Sequence, residues 1–196
     1  MARKSRHPVN LPSMDQISEE RQRIKHNAAY RKALAGTIDV LLIAAAIAVL
    51  ISTLLLPVLQ ITGDSMEPAL YSGNIIVLLK TDKFETGDVC SFTWNNRNLV
   101  KRVIGNAGDW IEIDKEGTVY VNGEPLDEPY VKEKSLGECD ITFPYQVPED
   151  SVFLMGDHRE TSIDSRSTVI GSVGYDQIVG KVLFRVWPFK EIGPVR

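Results

Sequence analysis

The chain has only two cysteines and three histidines in 196 residues. Cys90 and Cys139 are too few and too far apart for a zinc site or a CxxC redox motif, and two free thiols are expected. No P-loop and no metal-ligand cluster occurs, so neither a metal nor a nucleotide cofactor is expected. Internal repeats and low-complexity tracts are also missing. Charge disappears entirely from Val40 to Leu59, in "VLLIAAAIAVLISTLLLPVL". Basic residues are unevenly placed: residues 1–36 carry a net +5, and the remainder a net -9. An acidic main body argues against nucleic acid as a partner, which would want a basic face.

The uncharged run is long enough to matter. Twenty helical residues at about 1.5 Å each span roughly 30 Å, the thickness of a bilayer's hydrocarbon core. A cleaved signal peptide fits poorly, because almost forty polar residues precede the run and no Ala-x-Ala site follows. A buried core helix is the remaining alternative. The reading adopted is one transmembrane helix over 37–59. Arg21, Arg23, Lys25, Arg31 and Lys32 lie just before it, and Lys80 is the first basic residue after it. The positive-inside rule then makes 1–36 a basic cytoplasmic segment and 60–196 an extracytoplasmic domain. Residues 1–16 read as loosely structured, and 18–36 as a helix that lies at the membrane or runs into it.

Beyond residue 63 no stretch keeps a helical period. "NIIVLLK" (74–80), "DVCSFTW" (88–94), "NLVKRVI" (98–104), "DWIEID" (109–114) and "TVYVN" (118–122) are short, β-branched or aromatic, and bounded by Gly, Asp or Asn. "SVFLMG" (151–156) and "KVLFRVW" (181–187) continue the pattern, and Asn122-Gly123 is a hairpin signal. The fold class expected is mainly β, an antiparallel, barrel-like extracytoplasmic domain behind one membrane helix. Residues 131–148, with Pro144 and Pro148, read as an extended loop.

Ser65 sits in the tight turn of "ITGDSMEPALYSGNIIVL" (61–78), where it is either a turn residue or a nucleophile in need of a base. His7 and His26 precede the span, which leaves His158, flanked by Asp157 and Asp164, as one candidate. Lys101 is the other. On a strand over 98–104 it shares a face with Leu99 and Val103. An ordinary lysine is neutral only roughly one part in 2,500 at pH 7. It becomes a base only if burial, helped by the adjacent Arg102, lowers its pKa. A snorkelling surface lysine is the plainer alternative.

"GDSMEPAL", "GDVCSF", "KRVIGNAGD" and "GDHRETSIDSR" occur in the order and approximate spacing of the boxes of type I bacterial signal peptidases, in the short single-span form. "DWIEIDKEGTVYVNGEPLDEPYV" (109–131) also resembles that family. The resemblance implies a serine endopeptidase with Ser65 as nucleophile, Lys101 as neutral general base, and an acyl-enzyme intermediate. It implies that Ser162 hydrogen-bonds and orients the lysine, that Asp164 and Arg166 form a supporting ion pair, and that Arg102 and Asp157 belong to the same shell. The Ser65 N–H would hold the oxyanion. Gly63 stands where many members have a second, hydroxyl donor. Ile61, Met66, Leu70, Leu99 and Val100 would line pockets for small side chains at positions -1 and -3. The implied partners are preprotein signal peptides, membrane lipid and the secretion translocon nearby.

His158 departs from the commoner asparagine of its box, so a His-based triad is the rival mechanism. A specialised peptidase for a pilus or other surface export route is an alternative of the same architecture. A self-cleaving repressor would be a soluble chain with a DNA-binding head, which residues 37–59 oppose. A non-catalytic binding module is opposed by the intact Ser65, Lys101 and Ser162. Ser65 lies six residues beyond Leu59, a link of at most about 20 Å when fully extended. A substrate cut there emerges from the bilayer as extended chain.

Overall fold

The computed structural model describes residues 13–195; His7 and most of the stretch 1–16 lie outside the described residues. The chain divides into two units, with the boundary after Leu50.

The first unit is helical. Helix α1 runs without a break from Met14 to Leu55, so the described part of the basic segment and most of the apolar run share one helix. Val40, Leu41, Leu42 and Ile43 are all more than 60% exposed. None of the most apolar 18-residue window is buried, which a soluble core helix would require. The helix stops before the apolar run does. Pro57 has no N–H to donate and disfavours helical geometry at Leu56. Val58 and Leu59, expected in the membrane helix, instead open the first strand.

The second unit is built from antiparallel strands. They are β1 (Val58–Gln60), β2 (Ile75–Leu79), β3 (Val89–Trp94), β4 (Arg97–Gly105), β5 (Trp110–Ile113) and β6 (Val119–Val121). After these come β7 (Glu124–Pro125), β8 (Tyr145–Gln146), β9 (Ser151–Met155), β10 (Val173–Gly174), β11 (Ile178–Trp187) and β12 (Gly193–Pro194). One sheet has the order β1-β2-β11-β3-β4-β9-β10, with β12 on β11. The other has the order β7-β6-β5-β8. Val121 pairs with Glu124 across Asn122-Gly123, both at positive φ, as a two-residue hairpin demands. Residues 131–148 are irregular apart from β8, which pairs with β5.

Strand β9 shows why an unbroken apolar run is needed here. Its side chains alternate between two cores: Val152 and Leu154 pack with Cys90, Phe92, Val103 and Val173, while Phe153 and Met155 pack with Ile104, Ile111, Ile113 and Val119. The second cluster holds the two sheets together. A third cluster, of Ile61, Met66, Leu70, Ile76, Leu78, Val89 and Val182, underlies the turn that carries Ser65. Both cysteines are free. Burial pushes the Cys90 thiol up to about 12, so it stays protonated in its core. Phe153→Ala should cost about 3–5 kcal/mol, read as a lowered urea midpoint at unchanged slope, because it empties the core shared by the sheets.

Candidate active site

Ser65 is fixed from both sides of its turn. On one side Ile61 donates to the Asn74 carbonyl at 2.8 Å and accepts from Gly73 at 2.9 Å, with Ile61 and Met66 sunk into the core. On the other side the His158 N–H donates to the Ser65 carbonyl at 3.1 Å. Gly63 has φ +93°, a conformation that disfavours any side chain. The turn therefore selects glycine where a second hydroxyl donor was sought. The Ser65 N–H has no acceptor among the described residues.

Lys101 lies on β4 opposite Cys90 of β3 and is 3% exposed. Its Nζ is 2.6 Å from Ser65 Oγ. Burial, the largest cause, brings its pKa down to about 8; Asp164 pulls it back up, Arg166 pushes it down, and Asp157 and Asp64 pull it up. The guanidinium that helps is thus Arg166, and not the adjacent Arg102 as expected. Arg102 points to the other face of β4, where its Nε and Nη2 donate to Asp157 at 2.8 and 2.7 Å. At pH 7 a pKa near 8 leaves roughly one lysine in ten neutral. A neutral amine in contact with a hydroxyl can accept its proton.

The loop 156–166 closes the rear of the site. Arg166 bonds both Asp164 oxygens at 2.8 Å, fully buried, and also donates to the carbonyls of Leu136 and Arg159. Asp164 in turn accepts from the Gly156 N–H at 2.9 Å. Gly156 is packed so tightly that a Cβ there would meet the Ser65 carbonyl and Ser162 Oγ. Ser162 departs from expectation. Its hydroxyl is buried against Gly156 and has no hydrogen-bond partner among the described residues, so the implied bond to Lys101 is not formed. His158 contributes its main chain to Ser65, and no hydrogen bond links its ring to the serine. Arg159 and Glu128, a buried ion pair, had not stood out in the sequence. A glutamate between prolines in a polar loop reads as solvated.

A cleft of about 460 Å³ opens in front of Ser65 and Lys101, lined among others by Ile61, Gly63, Met66, Leu99 and Val100. Leu70, expected in this lining, is not there. It is fully buried in the cluster under the turn, where its N–H bonds the Met66 carbonyl. One wall of the cleft is a free strand edge. Val103 directs its N–H and C=O toward Asp88 and Gly87, so by alternation Arg102, Val100 and Asn98 face the opposite edge. Strand β9 covers that edge only as far as Arg102, which leaves Val100 and Asn98 open.

A buried amine on a serine hydroxyl, beside an unpaired strand edge, is the constellation of a serine peptidase with an amine base. The chain matches the family described as "Signal peptidase, peptidase S26" over residues 34–187. Signal peptidase IB of Staphylococcus aureus is 40% identical over 151 residues, covering 67% of this chain and 78% of the relative. Signal peptidase I of Bacillus licheniformis is 31% identical over 189 residues, covering 90% and 98%. A signal peptidase I crystal structure from Enterococcus faecalis V583 has 29% identity and a TM-score of 0.43, covering 50% of this chain and 96% of that one. The chain belongs to the signal peptidase family, peptidase S26.

The lysine's lowered pKa has a stability consequence. The unfolded chain binds the proton more tightly, so the buried amine destabilises the fold at every pH below about 8 and ceases to do so above its ordinary 10.5. Lys101→Met should therefore stabilise the protein by up to about 3 kcal/mol at pH 7, with the gain shrinking between pH 8 and 10.5. Denaturant melts of wild type and variant at several pH values check this.

Proposed function

We propose that this membrane-anchored serine endopeptidase removes N-terminal signal peptides from exported preproteins, with Ser65 as nucleophile and Lys101 as general base. The observation that carries the reading is the 2.6 Å contact between a dry amine and the turn serine. Ser65 Oγ attacks the scissile carbonyl carbon while its proton passes to Lys101 Nζ. The oxyanion forms toward the Ser65 N–H, a donor without an acceptor among the described residues. Collapse breaks the C–N bond, and the leaving amine takes the proton from Lys101. Water, deprotonated by the same amine, then releases the acyl group and regenerates the serine.

The substrate enters as an added strand on the open edge of β4, bonded to the main chain of Val100 and Asn98. Ile61, Met66, Leu99 and Val100 leave room only for small side chains at -1 and -3. A bulky residue is rejected by collision. Asp164–Arg166 and Arg102–Asp157 hold the rear loop, and Ser162 fills the space beside Gly156. The apolar part of α1 sits in lipid with the basic segment in the cytoplasm and residues from about 60 outside, beside the translocon that delivers the substrate. Protease added outside intact cells should then digest the C-terminal unit and spare an epitope placed before residue 36.

Purified full-length chain should cleave a signal-bearing precursor, with kcat/KM rising about tenfold per pH unit up to about 8 and flat above it. Lys101→Ala and Ser65→Ala should abolish cleavage, and His158→Asn should keep most of it. An acid limb that persists in Lys101→Ala and vanishes in His158→Asn would replace the lysine by the histidine.

A further inference from the structure

Gly156, Asp157 and His158 form a wall against the Ser65 main chain, and the wall is gripped from behind by one short segment between β7 and β8. Both oxygens of Glu128 accept from Arg159, one from Nη1 and one from Nη2, with both side chains shut off from solvent. Arg159 Nε spends its remaining proton on the Gly156 carbonyl at 3.1 Å. Two residues after Glu128, the Tyr130 ring lies 3.8 Å from the Arg102 guanidinium, the same guanidinium that holds Asp157. The Tyr130 hydroxyl donates to Glu128 Oε1 at 3.4 Å. Burial raises the phenol's pKa, so it remains a donor throughout the working range.

We propose that Glu128 and Tyr130 are positioning residues for the cleavage reaction, acting through Arg159 and Arg102 to fix Gly156–His158 and thereby Ser65. The inference rests on the signal-peptidase reading of the site. A buried ion pair is weak evidence of a stabilising role alone, since well-packed apolar residues of similar volume often replace one at no loss. What an apolar pair cannot replace is the bond from Arg159 to Gly156, next to the His158 N–H that holds the Ser65 carbonyl. Tyr130 works by the same logic: its face keeps the Arg102 guanidinium flat for its two parallel bonds to Asp157. The attacking hydroxyl must stay in line with the amine, and small displacements of such groups are expensive in rate.

The test uses the full-length chain in detergent and a synthetic peptide with an apolar run followed by Ala-x-Ala. The double variant Glu128→Leu/Arg159→Met removes both charges together, so no buried ion is left unpaired. It should melt within a few degrees of wild type while kcat falls about 10- to 100-fold and KM changes less than about threefold. Tyr130→Leu should lose kcat in the same way, and Tyr130→Phe, which keeps the ring over Arg102, should regain most of it. Wild-type kcat in the folded double variant, or a loss confined to KM, overturns the proposal. Should the double variant not fold, equal kcat for Tyr130→Leu and Tyr130→Phe overturns it. Failure of wild type to cleave the peptide strikes the signal-peptidase reading itself, and is thereby distinct from both.

Discussion

Keeping one ammonium group out of water is the constraint around which the second unit is arranged. Moving a lysine pKa from 10.5 to about 8 disfavours the charged form by about 3 kcal/mol. A domain of this kind has only about 5–15 kcal/mol of net stability to offset such a term. Position solves the problem. Lys101 sits on a central stretch of β4, between β3 and the turn of Ser65, with Cys90 as its cross-strand neighbour. The same strand registers the amine against the hydroxyl and denies it solvent, so reactivity and fold are set by one set of hydrogen bonds.

The carboxylates around the lysine work against this arrangement, and their pairing limits the damage. Asp164 and Asp157 both favour the protonated amine, yet each is tied by two bonds to a guanidinium of its own. Glu128 and Arg159 repeat the pattern a third time. Each buried guanidinium is matched by one carboxylate, so the loop behind Ser65 is polar, dry and locally neutral. Such a loop can be ordered by hydrogen bonds without flooding the lysine with negative potential.

Much of this was legible in the residues, and the failures have physical causes. Strands such as β2, β3, β4 and β9 announced themselves by β-branched runs bounded by turn residues, because each faces apolar neighbours. Ser65 and Lys101 came from the ordered boxes; composition alone left the lysine as a plausible surface residue. Burial depends on which strands flank β4, which local pattern does not carry. Leu70 was misplaced for a related reason, since one helical turn after Met66 decides whether it meets the cleft or the core. Arg102 and Arg166 exchanged influence over the lysine because strand alternation sends a sequence neighbour to the opposite face. Glu128 was invisible because its partner is 31 residues away. Pro57 ends the helix inside the apolar run, a local signal to which hydropathy is blind.

A peptide laid on the open edge of β4, as proposed above, is held through main-chain groups, which every polypeptide possesses in the same form. Outside the few positions where side chains meet the wall of the cleft, the identity of the cargo is therefore immaterial to binding. Recognition of this kind accepts unrelated sequences. The exception is an imino acid at the position that must donate to the strand, which no choice of neighbouring residues could rescue.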